Sequence, residues 1–171
     1  MQLVGIIAKR REIQAIKKEI KEKNIEIIEI TKESIKNVRN IRFEEIIFLQ
    51  NINLEEDEYK YMKEIISNAK YIIINRDIEI DILNRIEIEK EIKLITFGFN
   101  SNSTITISSV KDEKIIVCLQ KDIEKANGEI VESQEKEIIS KENKNIYNNL
   151  VVFIIKELHN CLKADKMNEK T

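Results

Sequence analysis

At 171 residues the chain is long enough for one domain with a buried core, or for one domain with a small annex. Charged residues make up 35% of it and the formal net charge is −2. Acids and bases are interleaved, so no basic face invites nucleic acid. No apolar run reaches the ~18 residues that span a bilayer. The apolar start (MQLVGIIAKRRE) has no basic segment before it and no cleavage site after it, so a cytoplasmic protein is expected. Cys118 and Cys161 lack metal-ligand spacing and read as reduced, buried small hydrophobes.

Residues 2–8 (QLVGIIA) form a short apolar run suited to a strand buried on both faces. Over residues 11–23, Ile13, Ile16 and Ile20 fall on one stripe of an amphipathic helix. Residues 25–30 (IEIIEI) read as a second strand, and Thr31 is placed to cap a short helix over 32–38. A third strand follows at 45–50 (EIIFLQ). A helix over 55–69 then aligns Tyr59, Met62, Ile65, Ile66 and Ala69, with acids in its first turn where the dipole favours them. Residues 70–75 (KYIIIN) are a fourth strand. Residues 78–88 (IEIDILNRIEI) alternate like a strand, but their place between two strands demands a crossover, so a short helix is expected. Residues 92–97 (IKLITF) close the series as a fifth strand.

The rhythm changes after residue 99. Residues 104–110, 114–120 and 129–139 are strand-like and too close together for helices between them. Residues 111–113 make a tight connection, and Asn127-Gly128 is a hairpin turn. A final helix, rich in apolar residues, is expected over 145–163. The expected fold is α/β: a Rossmann-like or flavodoxin-like parallel sheet with helices on both faces, over residues 1–99. A small antiparallel β-meander and a C-terminal helix follow over 100–171, packed with it as one domain.

Three passages carry a family resemblance. Residues 71–77 (YIIINRD) look like a strand ending in an Asn-x-Asp signature. Residues 95–109 (ITFGFNSNSTITISS) look like a strand, a Phe-Gly corner and a strand of a second sheet. Residues 144–152 (KNIYNNLVV) look like the start of a closing helix of pattern His-Asn-x-x-Asn, with Lys144 in place of the His. In order and spacing these resemble the second half of the central domain of the Mur ligases, the ATP-dependent amide-forming enzymes of peptidoglycan synthesis. The resemblance implies a nucleotide-side location for Asn75 and Asp77 and an adenine-side location for Asn145 and Asn148.

The departures concern catalysis. The family's first strand runs into a glycine-rich phosphate loop ending in Lys-Ser/Thr. Here the junction is GIIAKRRE (5–12), with no second Gly to let backbone N–H groups wrap a triphosphate. The acid-His pair after the family's third strand has no counterpart in QNINLEEDEY (50–59), which contains no His. No counterpart of the family's C-terminal domain is expected, since residues 164–171 are polar and short.

Each candidate residue has a plainer alternative. Lys9 and Arg10, with Arg11, sit at the start of the first helix, where cations oppose the dipole and a bound anion would relieve them. Solvated side chains in a Lys-rich protein are the simpler reading. Asn75 and Asp77 fit a strand-end turn equally well. Asn145 and Asn148 suit an adenine edge because an amide both donates and accepts; a helix cap and a solvent-facing neighbour would also account for them. His159 has no partners at metal spacing and is expected at the surface or its boundary. The acids at 55–58 are contiguous and point around a helix rather than converging on a cation. Ser101 and Ser103 have no base nearby in sequence.

The function expected is therefore a non-catalytic, Mur-ligase-like binding or assembly module, with no catalytic residues, no metal and no cofactor. One alternative is a small-molecule or nucleotide-binding domain with a remnant adenine-side pocket, its ligand unidentified. Another is a ligase subunit whose partner supplies the phosphate loop. A homodimer is also expected. VVFII (151–155) turns more than once around a helix axis, so a helix lying on one sheet should leave Val152, Phe153 or Ile155 facing outward.

Overall fold

The computed structural model describes residues 1–140 and 145–159. Its centre is an eight-stranded sheet in the order β10-β7-β6-β5-β4-β3-β1-β2. The parallel part comprises β1 (Gln2–Ile7), β2 (Ile25–Glu29), β3 (Glu45–Phe48), β4 (Tyr71–Asn75) and β5 (Lys93–Phe97). Its order, 2-1-3-4-5, is the flavodoxin-like one, with the reversal between β1 and β3. Between these strands lie α1 (Arg10–Glu19), α2 (Ile35–Val38), α3 (Glu56–Ser67) and α4 (Asp81–Arg85). The strands read as apolar runs because both faces are covered.

Alternation along the strands separates two cores. Val4, Ile6, Ile47, Tyr71, Ile73, Ile95 and Phe97 pack with Ile13 and Ile16 of α1 on one side. Ile7, Ile46, Phe48 and Ile72 pack with Ile35, Met62, Ile65 and Ile82 of α2, α3 and α4 on the other. Gly5 belongs to the second side, where a Cβ would come within 2.5 Å of Ile30 Cδ1 and 3.2 Å of the Phe43 ring.

The first helix begins at Arg10 and ends at Glu19, shorter than the stripe of isoleucines suggests. The second begins only at Ile35, because Thr31 and Ser34 bond each other's backbone N–H at 2.9 and 3.2 Å in the preceding turn. In α3 the Glu58 carboxylate reaches back to the Glu55 N–H at 2.7 Å, which explains the acidic first turn as a cap. The ambiguous 78–88 segment is helical only over Asp81–Arg85.

The meander consists of β6 (Ile105–Lys111), β7 (Lys114–Leu119) and β10 (Gln134–Ile139), antiparallel to one another. It joins the parallel sheet through a single parallel pair, Phe97 with Ile105. Asp112 takes φ +54° in the tight β6–β7 turn. The strand expected over 129–139 is interrupted. Ile130–Val131 (β9) pairs with Ile123–Glu124 (β8) in a separate hairpin. The Ser133 N–H then donates to Asp122 Oδ1 at 2.8 Å, and the chain turns away into β10. Gly128 supplies the positive φ, +86°, of the β8–β9 turn.

The last described helix, α5 (Ile146–Leu158), lies on the α1 side. It buries Leu150, Val151, Phe153, Ile154, Ile155 and Leu158. Past its first turn, where Ile146 and Tyr147 are half-exposed, the half-exposed residues are the stripe Asn149, Val152 and Lys156. The expectation of a spare apolar surface is thus corrected. Phe153 and Ile155 lie within the core of one chain, and Val152 packs against its margin. The sheet covers one flank of the helix and α1 another, while Ile123 and Val131 of the β8–β9 hairpin join the same cluster. The expected extension to residue 163, Cys161 and the tail 164–171 lie outside the described residues.

Candidate functional site

Parallel sheets present ligand sites at the carboxyl ends of their strands. Here that edge is crossed by one continuous chain of hydrogen bonds. At its first end, Lys9 precedes α1, and its backbone N–H donates to Glu12 Oε2 at 3.1 Å. The other oxygen of Glu12 accepts from Asn145 Nδ2 at 3.2 Å. Asn145 caps α5, its Oδ1 accepting from the Tyr147 N–H at 3.0 Å. The Tyr147 hydroxyl donates to Asp77 Oδ2 at 3.1 Å.

Asp77 is the hub. Oδ2 also accepts from the Phe99 N–H at 2.6 Å and Oδ1 from the Asn100 N–H at 3.1 Å. Its own N–H donates to Asn75 Oδ1 at 3.0 Å in an Asx turn at the end of β4. Gly98 makes this possible. It takes φ +142°, and a Cβ there would lie 2.5 Å from Asp77 Oδ2. Phe99, half-exposed, meets the Tyr147 ring edge-on with centroids 6.0 Å apart.

Four of the six residues expected here are joined by these bonds at one edge. Asn75, Asp77 and Asn145 join through their side chains, and Lys9 joins through its backbone. Asn148 lies one turn inside α5, and it is buried, not solvent-facing. Arg10 starts α1 at the same edge, but its side chain is exposed and makes none of these bonds. Lys144, the counterpart of the family's His, lies outside the described residues.

Glu12, Tyr147 and Phe99 were not singled out by sequence. Glu12 stands three residues after Lys9, the spacing of a capping box, and could have been found that way. Tyr147 and Phe99 carry no comparable signal.

The chemistry available is limited. The Asp77 carboxylate already receives three donors, which leaves it little room to accept a further one from a ligand. Burial and then the bond to Asp77 push the Tyr147 hydroxyl above its usual range, so it stays a neutral donor near pH 7. Among the described residues no group of three or more His, Cys, Asp or Glu could hold a metal ion. No described helix is long and apolar enough to cross a membrane. No protein-family model and no curated protein matches the sequence.

Proposed function

We propose that this chain is a non-catalytic, Mur-ligase-like domain working in the cytoplasm as a binding or assembly module. The observation that carries this reading is the mouth of α1. In a phosphate-binding loop that helix start offers backbone N–H groups to an anion. Here the Glu12 carboxylate takes the Lys9 N–H and is itself tied to Asn145. The negative charge is supplied by the chain, and it repels a triphosphate. The only glycine of β1, Gly5, sits inside the strand against Ile30 and Phe43, not in a loop.

Mg-ATP at millimolar concentration should therefore leave the melting temperature nearly unchanged. A ligand present at or below its Kd shifts the folding free energy by less than about 0.5 kcal/mol. A rise of several degrees, or steady phosphate release, would refute the reading.

A second reading, a remnant small-molecule pocket on the adenine side, is favoured by one residue. Asn148 is 2% exposed, and its Oδ1 has no hydrogen-bond partner among the described residues. Leaving a buried acceptor unmade costs about 1–3 kcal/mol. A ligand N–H would satisfy it. If that is its role, adenosine stabilises the wild type and loses the effect in Asn148→Leu. If the site is vacated in evolution as well as in chemistry, Asn148→Leu is neutral or more stable by about 1 kcal/mol, and adenosine moves neither protein.

A further inference from the structure

The β8–β9 hairpin turns at Asn127-Gly128, the only Asn-Gly pair in the chain. Both residues are exposed. The Gly128 N–H donates to the Lys125 carbonyl at 3.0 Å, and the Lys125 N–H to the Glu129 carbonyl at 2.8 Å. Asn127 Oδ1 accepts from the Glu129 N–H at 3.0 Å, which folds the side chain along the backbone that follows it. A Cβ on Gly128 would meet nothing within 4 Å, so no other part of the chain crowds this peptide.

We propose that Asn127-Gly128 is a site of spontaneous modification, and that its conversion to isoaspartate releases the β8–β9 hairpin from the end of α5. The Gly128 nitrogen gives its proton to hydroxide and attacks Asn127 Cγ. The new C–N bond closes a five-membered succinimide ring, and the side-chain nitrogen leaves as ammonia. Water then opens the ring. Breaking the bond to Cγ gives aspartate. Breaking the bond to the main-chain carbonyl carbon gives isoaspartate, in which the chain runs through Cβ and Cγ. Water is the only co-reactant consumed, and nothing is oxidised or reduced.

The residue after the asparagine decides where this happens. A side chain there shields the attacking nitrogen, and every other asparagine is followed by a residue that has one. The bond from the Gly128 N–H to Lys125 holds the nucleophile, so the reaction goes through brief openings of the turn.

Isoaspartate adds one atom to the backbone between Ala126 and Gly128. The two bonds that close the turn depend on its length, so they cannot both be kept. What is lost with them is a tie. The Ala126 N–H donates to the Leu158 carbonyl, at the end of α5, at 3.2 Å. The Ala126 carbonyl accepts from Lys70 Nζ at 2.9 Å, and the Glu124 carbonyl from the Tyr71 hydroxyl at 2.9 Å. Through these bonds the hairpin fastens the end of α5 to the start of β4. His159, expected at the surface, is corrected here: its side chain is wholly buried beside Glu45 of β3. A loosened turn frees this end of α5 first and leaves the carboxyl rim around Asp77 in place.

The test ages the full chain at mildly alkaline pH and digests it with trypsin. Peptide 126–136 should show nitrogen replaced by oxygen at Asn127 before any other asparagine reacts, with isoaspartate the major product. Gly128→Ala should lose this conversion over the same time. In nitrogen-15-labelled aged protein the isoaspartate molecules give their own peaks. Their Ala126 and His159 amides, bonded to Leu158 and Ile155 before conversion, should exchange about tenfold faster than in fresh protein. The Phe99 and Asn100 amides should exchange as before. Earlier reaction at Asn100 or Asn102, both exposed and each followed by Ser, would overturn the proposal. So would equal conversion in Gly128→Ala, or isoaspartate molecules whose Ala126 and His159 amides stay as protected as in fresh protein.

Discussion

Replacing Gly98 with valine should destabilise the protein by about 3 kcal/mol or more. Two costs add. The backbone sits at φ +142°, which a β-branched residue reaches only with strain. The new Cβ would also lie 2.5 to 2.8 Å from all three atoms of the Asp77 carboxyl group. Asp77 must then move, and the Phe99 and Asn100 N–H groups and the Tyr147 hydroxyl lose their acceptor. For a chain of this length the melting temperature should drop by about 6–12 °C. A cost below about 1 kcal/mol in urea unfolding would mean that the corner relaxes without disturbing Asp77.

Phe153→Ala should cost about 4 kcal/mol, by loss of a buried ring and the cavity left behind. Phe153 is 3% exposed and belongs to the core shared by α1, α5 and the sheet. Because that burial is complete within one chain, the loss should be the same at every protein concentration. If wild-type stability instead rises with concentration, the helix is covered by a second copy, and the intrachain account of this face is wrong.

The parallel half of the fold was legible because its strands are unbroken apolar runs. IIF in β3 and YIII in β4 admit few alternatives when helical stripes lie between them. The 129–139 segment misled because alternation does not reveal where a strand changes partner. The break depends on Asp122 accepting from the Ser133 N–H, a contact eleven residues away. The crowding on α5 misled for a related reason. VVFII was read against one sheet, whereas three surfaces meet the helix, and one of them is the β8–β9 hairpin, whose second strand the alternation joins to β10.

The two edges of the sheet differ in the same way. Asn75, Asp77 and Asn145 were expected at one site on the strength of the family resemblance, and the structure has them at or just beyond the end of β4 and at the start of α5, on one rim of the sheet. That they bond one another could not be seen, since it requires the phenol of Tyr147 and the turn at Gly98. Glu45, Glu157 and His159 gave no sign of burial. Each is the ordinary polar type expected on a surface, and the elements that cover them come from distant parts of the chain.

The central claim is that the carboxyl edge is closed by the chain's own groups. Amide hydrogen exchange, followed residue by residue with and without millimolar Mg-ATP, tests it most directly. The Phe99 and Asn100 amides, both held by Asp77, and the Lys9 amide, held by Glu12, should already be protected in the protein alone. Nucleotide should leave the whole pattern unchanged. Fast exchange at these three amides in the free protein, slowed when Mg-ATP is added, would contradict the account.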